Sequence, residues 1–160
     1  MSVAFTKEDS AETASETQLP DRPIPEGPNL VTVEGLAALE RQLAEAREAY
    51  DVAMLIEDVN EKRRQAANPL RDLRYFSERV RTAQVVPPPE TADVVAFGTT
   101  VRFERADGRV QKYRIVGEDE ADPKAGTISW ASPIARALMG KGVGDVVSVG
   151  GGEVEVVEIG

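Results

Sequence analysis

The 160-residue sequence contains no cysteine and no histidine. Without cysteine there is no disulfide, thiolate nucleophile or sulfur metal ligand. Without histidine there is no Ser–His–Asp or Cys–His pair and no imidazole ligand. Proton transfer is left to carboxylates, lysine or tyrosine. Any metal involved has to be a hard cation on oxygen ligands, Mg²⁺ being the commonest. Apolar runs are only a few residues long, well short of the roughly 20 needed to span a bilayer. The N-terminus has no basic region leading into an apolar stretch, so a secretory signal is not expected. These absences point to a soluble, cytoplasmic protein. Lys and Arg number 19 against 28 Asp and Glu, a net charge of -9. That balance argues against nucleic-acid binding through a basic field over the whole protein.

What is present falls into three blocks. Residues 1–30 are rich in Glu, Ser, Thr and Ala and then in proline, with Pro20, Pro23, Pro25 and Pro28 in quick succession. Such a stretch offers little apolar surface to offset its ordering entropy, so it reads as a disordered acidic, Pro-rich tail. Residues 31–86 read as helical. Thr32 is a candidate N-cap, but Gly35 stands where a capping box needs an acid or amide. Leu36, Leu39, Leu43, Ala46, Tyr50 and Ala53 then recur at steps of three and four, a heptad seam. A second seam runs through Leu73, Phe76, Val80 and Ala83. Two short seams in one block suit an antiparallel hairpin, because neither could bury its stripe alone. The expected reversal is near Glu57 to Glu61, with Pro69 kinking or restarting the second arm; Asn68-Pro69 is the alternative reversal.

The hairpin carries 10 acids and 9 bases, unevenly divided. Glu40, Glu45, Glu48, Asp51, Glu57 and Asp58 lie on the first arm. Lys62, Arg63, Arg64, Arg71, Arg74, Arg79 and Arg81 lie on the second. Two readings follow: salt bridges between the arms, each worth a few tenths of a kcal/mol, or a basic stripe facing a phosphate backbone.

Residues 87–92, opened by Pro87-Pro88-Pro89, read as a stiff linker, and 93–160 as a β-rich domain. Val101 and Phe103 alternate with Arg102 and Glu104, Asp107-Gly108 signals a hairpin turn, and Tyr113 and Ile115 alternate on the return strand. Glu118 to Asp122 reads as a solvated acidic loop without Ca²⁺-binding spacing. Ser132-Pro133 opens a short helix, with Ser as N-cap and Pro at its first position, and Gly140 is a suitable stop. Val146–Val149 and Val154–Ile159 are two more strands. Gly140-Lys141-Gly142-Val143-Gly144 lacks the spacing of a phosphate-binding loop. The expected fold class is α+β: a helical hairpin followed by a small antiparallel sheet with one short helix. Trp130, Phe97, Phe103 and Tyr113 are expected in the domain core.

These residues carry a resemblance. Thr32-Val33-Glu34-Gly35-Leu36 at the start of the first arm and Ala83-Gln84-Val85-Val86 at the foot of the second resemble the bacterial GreA/GreB-type transcription elongation (transcript cleavage) factors. So do Phe97-Gly98-Thr99-Thr100-Val101, Tyr113-Arg114-Ile115-Val116-Gly117, Ser132-Pro133-Ile134-Ala135-Arg136-Ala137-Leu138 and Gly144-Asp145. The resemblance covers about residues 30–160. It implies an FKBP-like C-terminal domain that docks on the RNA polymerase core at the secondary channel through Ser132, Pro133, Ile134 and Arg136. It also implies a coiled-coil arm inserted into that channel, with Arg63, Arg64 and Arg71 facing RNA. In cleaving members, an Asp and a Glu three residues apart at the tip help hold Mg²⁺ in the polymerase's own active site. That tip signature is absent here, and Met54-Leu55-Ile56 lies in its region. Asp51, Glu57 and Asp58 are the candidate tip carboxylates. The arms are roughly two turns shorter than in a full cleavage factor, about 11 Å less reach. The resemblance therefore implies a short-armed, monomeric regulator that is not itself an enzyme and has no cofactor of its own, Mg²⁺ entering only jointly with the polymerase. The alternatives are an active cleavage factor, or an interaction protein of the nucleoside diphosphate kinase regulator type.

Overall fold

The computed structural model describes residues 19–160. Strand β1 (Asn29–Val31) leads into helix α1 (Val33–Ala53), which is followed by helix α2 (Val59–Thr82) and strand β2 (Ala83–Val85). The rest is sheet: β3 (Thr100–Arg105), β4 (Val110–Val116), β5 (Thr127–Ser129), the short helix α3 (Pro133–Leu138), β6 (Val146–Val149) and β7 (Gly152–Ile159). Two 3₁₀ turns, Glu118–Glu120 and Pro123–Ala125, lie between β4 and β5. This is the expected α+β architecture, two long helices followed by a small sheet domain with one short helix.

The chain forms two compact units: one contains 19–26 with Leu39–Arg81, the other Gly27–Ala38 with Thr82–Gly160. The division differs from the expected breaks at 31 and 86. The first turn and a half of α1 and the last residue of α2 belong with the sheet. The physical cause is strand pairing. β1 and β2 pair in parallel, Asn29 opposite Ala83 and Val31 opposite Val85, and the Val86 amide extends the pairing by donating to the Val31 carbonyl at 2.9 Å. Ala83, read as the last seam residue of a helix, is therefore a strand residue.

In the helical unit the first seam is as expected. Leu39, Ala46 and Ala53 are buried, Leu43 and Tyr50 half-buried, and the charged residues between them exposed. The reversal occupies 54–58, overlapping the expected site. The last turn of α1 tightens, with Leu55 and Ile56 amides donating three residues back to Val52 and Ala53. Asp58 then caps α2: its carboxylate accepts from the Glu61 amide at 3.1 Å. Pro69 lies inside α2, which continues unbroken as helix, so it neither reverses nor restarts the arm. Both arms line one groove, Ala46 and Ala49 from α1 against Pro69, Asp72 and Phe76 from α2.

The tail reading needs correction. Its residues 1–18 lie outside the described residues, but 19–30 are ordered. The Arg22 guanidinium stacks 3.9 Å from the Tyr75 ring centroid and pairs with Asp72 at 3.1 Å, and Asp21 pairs with Arg74 at 3.3 Å. Residues 29–31 form β1. A few well-placed side chains order a segment whose composition alone predicts disorder.

In the second unit the sheet order is β5-β4-β3-β7-β6. The sheet is not wholly antiparallel: β5 runs parallel to β4, Ile128 opposite Ile115. The segment holding the two 3₁₀ turns carries the chain back to the level of Arg114, so β5 then runs in the same direction as the last three residues of β4. Val101, Phe103, Ile115, Val154 and Val156 face inward with Ala135 and Leu138 of α3. Phe97 is also buried, whereas Tyr113 and Trp130 sit at the core margin. Gly108 (φ +87°) permits the β3–β4 turn, where the Asp107 carboxylate accepts from the Arg109 amide.

Candidate functional site

The predicted docking residues sit at the start of α3. Ser132 is its N-cap: the hydroxyl accepts from the Ala135 amide at 3.4 Å and donates to the Ser129 carbonyl at 2.7 Å. Its one proton is spent on shaping the turn. Pro133 at the first helical position and Arg136 one turn on are exposed, while Ile134 is half-buried against the core. Among the described residues Arg136 has no salt-bridge partner. The turn thus presents proline, arginine and part of an isoleucine, with Ser132 holding them in place.

The predicted tip carboxylates do not form a metal site of their own. Asp51, on the last turn of α1, and Glu57 are exposed and make no ion pair among the described residues. Asp58 is engaged as the α2 cap. No group of three or more carboxylates among the described residues is placed to hold a metal ion. The residues exposed at the tip include large aliphatic ones: Val52, Met54, Leu55 and Val59 are 61%, 43%, 81% and 56% exposed.

Two of the α2 arginines bond to acids one turn away on the same helix. Arg64 donates to the Glu61 carboxylate at 2.6 and 3.1 Å, and Arg81 to Glu78, one turn back. Arg74 pairs with Asp21, and Arg71, half-buried, lies 3.9 Å from Asp72. Hydrogen bonds from Gln65 and Arg64 hold the Glu61 carboxyl below its ordinary range, and Arg81 does the same for Glu78. Among the described residues no salt bridge joins the two arms, so the expected cross-arm pairing is not seen. Helix geometry favours this outcome, since residues three apart are already neighbours on one surface. Among the described residues, Arg63 alone of the predicted RNA-facing residues is both exposed and unpaired; Arg64 and Arg71 have acidic partners.

A third cluster ties the root of α1 to the sheet unit, centred on Glu120. Its Oε2 accepts from the Thr32 amide at 3.0 Å and from the Gly117 amide at 3.1 Å, and its Oε1 accepts from the Thr32 hydroxyl. The same hydroxyl oxygen accepts from the Gly35 amide at 2.9 Å. Together these are the two bonds of a capping box, with the acid supplied 88 residues along the chain instead of at the third helical position. Gly35 occupies that third position. A Cβ there would lie 2.1 Å from the Glu120 carboxyl carbon, so the glycine leaves the space that the remote acid fills.

With this geometry in view, the comparisons with known proteins are specific. The family model described as "Transcription elongation factor, GreA/GreB, C-term" matches residues 89–160. Transcription elongation factor GreA of Methylobacterium nodulans is 38% identical over 149 residues, covering 81% of this chain and 94% of that protein. The chain belongs to the GreA/GreB transcription elongation factor family. GreA of Desulfovibrio desulfuricans is 35% identical over 74% of this chain and 83% of its own length. Among solved structures, the GreA factor homolog 1 (Gfh1) of Thermus thermophilus aligns with 25% identity and a TM-score of 0.40, over 84% of this chain and 99% of that one.

Within this GreA/GreB-family chain, sequence reasoning missed Glu120, which it placed in a solvated acidic loop. One signal was there: Thr32 opens α1 as a cap with no acid at Gly35 to complete the box. Nothing local indicates that the missing carboxylate comes from Glu120 rather than from Glu118, Asp119 or Asp122. Among the described residues, no helix is long and apolar enough to cross a membrane.

Proposed function

We propose that this chain is an elongation regulator that binds the RNA polymerase core, in the cytoplasm and as a monomer. On this reading the sheet unit docks at the secondary channel through Pro133, Ile134 and Arg136, on the turn that Ser132 caps, and the hairpin is presented to the channel. The observation that carries the reading is the family match over 89–160, which includes a turn whose proline and arginine are exposed and uncommitted. The Methylobacterium nodulans relative, named as an elongation factor, is matched over 94% of its length.

The tip favours regulation over cleavage. Cleavage would place Asp51, Glu57 or Asp58 beside Mg²⁺ in the polymerase active site, where the metal would activate the attacking water. Asp58 is committed to capping α2 and the tip surface is largely aliphatic, so these residues do not fit that metal ion well. The chain is then not an enzyme and carries no cofactor of its own. Contact with RNA falls chiefly to Arg63, with Arg64 and Arg71 released only by giving up their acidic partners.

The test is binding of the full chain to core polymerase, with the Arg136→Glu variant in parallel. Binding by the parent and about tenfold weaker binding by the variant are expected. No binding by the parent, where a relative from the same family binds, removes the reading. Backtracked elongation complexes treated with the chain should keep their transcripts intact; release of short 3′ fragments would establish cleavage instead. Recovery of a nucleoside diphosphate kinase in place of polymerase would favour the interaction-protein alternative.

A further inference from the structure

Four aliphatic side chains, Val52, Met54, Leu55 and Val59, stand exposed around the hairpin reversal, with Leu55 81% exposed. Beside them Ala53, Ile56 and Pro69 help line an open groove of about 450 Å³ between the arms. An isolated exposed leucine needs no explanation, but four large aliphatics within eight residues around one helix reversal form a patch that water disfavours. The patch lies outside the buried stripe of α1, which runs through Leu39, Ala46 and Ala53.

The surrounding charges select the occupant. Residues 51–58 carry three exposed carboxylates, Asp51, Glu57 and Asp58, and no base; the first bases, Lys62 and Arg63, lie a turn further along α2. A nucleic-acid backbone would be repelled by those carboxylates, and the tip has no aromatic ring on which a base could stack. A second copy would bring the same three carboxylates against each other. A protein surface with an apolar hollow edged by lysine or arginine satisfies both features.

We infer that the hairpin tip is an apolar anchor that inserts into such a hollow, basic at its rim, on a protein subunit of the polymerase. The inference rests on the docking reading above and gives the tip a binding role in place of a metal-holding one. Leu55 and Val52 are the anchors, and Asp51 and Glu57 meet the rim.

The full chain is tested against core polymerase in four forms: the parent, Arg136→Glu, Leu55→Ser with Val52→Ser, and a variant carrying a photo-activatable cross-linking residue at position 55. The serine pair changes exposed positions, and far-ultraviolet circular dichroism checks that the hairpin is retained. The expected result is binding weakened about tenfold by the serine pair, with the position-55 probe forming an adduct on a polymerase protein subunit. If the serine pair melts the hairpin, the cross-link decides. Adducts only on RNA or DNA of an elongation complex, or only on a second copy, overturn the inference, as does unchanged affinity of a folded serine variant. If the parent and Arg136→Glu behave as the docking reading requires while the tip variants bind like the parent, the anchor alone fails. If the parent does not bind, both fail.

Discussion

Replacing Gly35 with alanine sets two effects of opposite sign against each other. Gly35 lies in the first turn of α1, and alanine there should favour the helix by about 0.5–1 kcal/mol. The new Cβ, however, would lie 2.1, 2.3 and 2.6 Å from the three carboxyl atoms of Glu120. Real Cβ contacts are not that close, so the carboxylate has to leave. It then gives up the Thr32 and Gly117 amides and the Thr32 hydroxyl. Hydrogen bonds to a charged group contribute about 1.5–3 kcal/mol each when buried. Glu120 is only half-buried, so water replaces part of that. The loss should outweigh the helix gain, leaving Gly35→Ala destabilised by about 1–3 kcal/mol. In a Glu120→Ala background the obstacle is gone and only the propensity effect remains, so the same substitution should stabilise by about 0.5–1 kcal/mol. The change of sign is the signature, and a double-mutant cycle reads it directly. Urea unfolding followed by Trp130 fluorescence is the assay, because the single tryptophan lies in the same unit as the joint. An equal effect of Gly35→Ala in both backgrounds would refute the remote capping box.

Further outcomes follow from the same structure. In Gly117→Ala a Cβ would lie 2.4 Å from the Leu30 carbonyl oxygen, a backbone atom that cannot swing away. It should cost about 1–3 kcal/mol or more in urea melts, and a loss under about 0.5 kcal/mol would contradict the close approach. Leu39→Ala, at a fully buried seam position, should cost about 2–5 kcal/mol, seen as helix loss by circular dichroism at lower urea. Arg22→Ala removes the cation over Tyr75 and the Asp72 pair and should lower stability by about 0.5–1 kcal/mol; an unchanged melt would mean the segment does not hold on in solution. Glu61 and Glu78 have carboxyls held below their ordinary value of 4.5. Their support of α2 is therefore complete above that pH and is lost as pH falls through the depressed folded values. Acid titration of α2 helicity should show that loss in the parent and less of it in Glu61→Gln with Glu78→Gln.

The periodic parts of this protein were legible in its residue pattern. The steps of three and four through Leu36 to Ala53 predict α1 and its buried stripe, because a helix returns such residues to one face. Alternation at Val101 to Phe103 and at Tyr113 to Ile115 predicts the central strands for the matching reason, and Ser132-Pro133 marks α3 because capping depends on neighbouring residues alone. Other features depend on residues far apart in the chain and became visible only in the folded molecule. β1 and β2 are three-residue strands with too little pattern to be seen, and they exist because their partners lie more than 50 residues away. The arginines of α2 were legible as a basic run, but their engagement with Glu61, Glu78, Asp72 and Asp21 was not, since each could have turned elsewhere. The candidate docking turn was readable from local chemistry, whereas the aliphatic tip emerged as a surface only once the seam was seen to be filled without it. Glu120 shows the division most plainly. A cap needs a carboxylate at a particular point in space, not at a particular place in the sequence, and folding supplied one from 88 residues away.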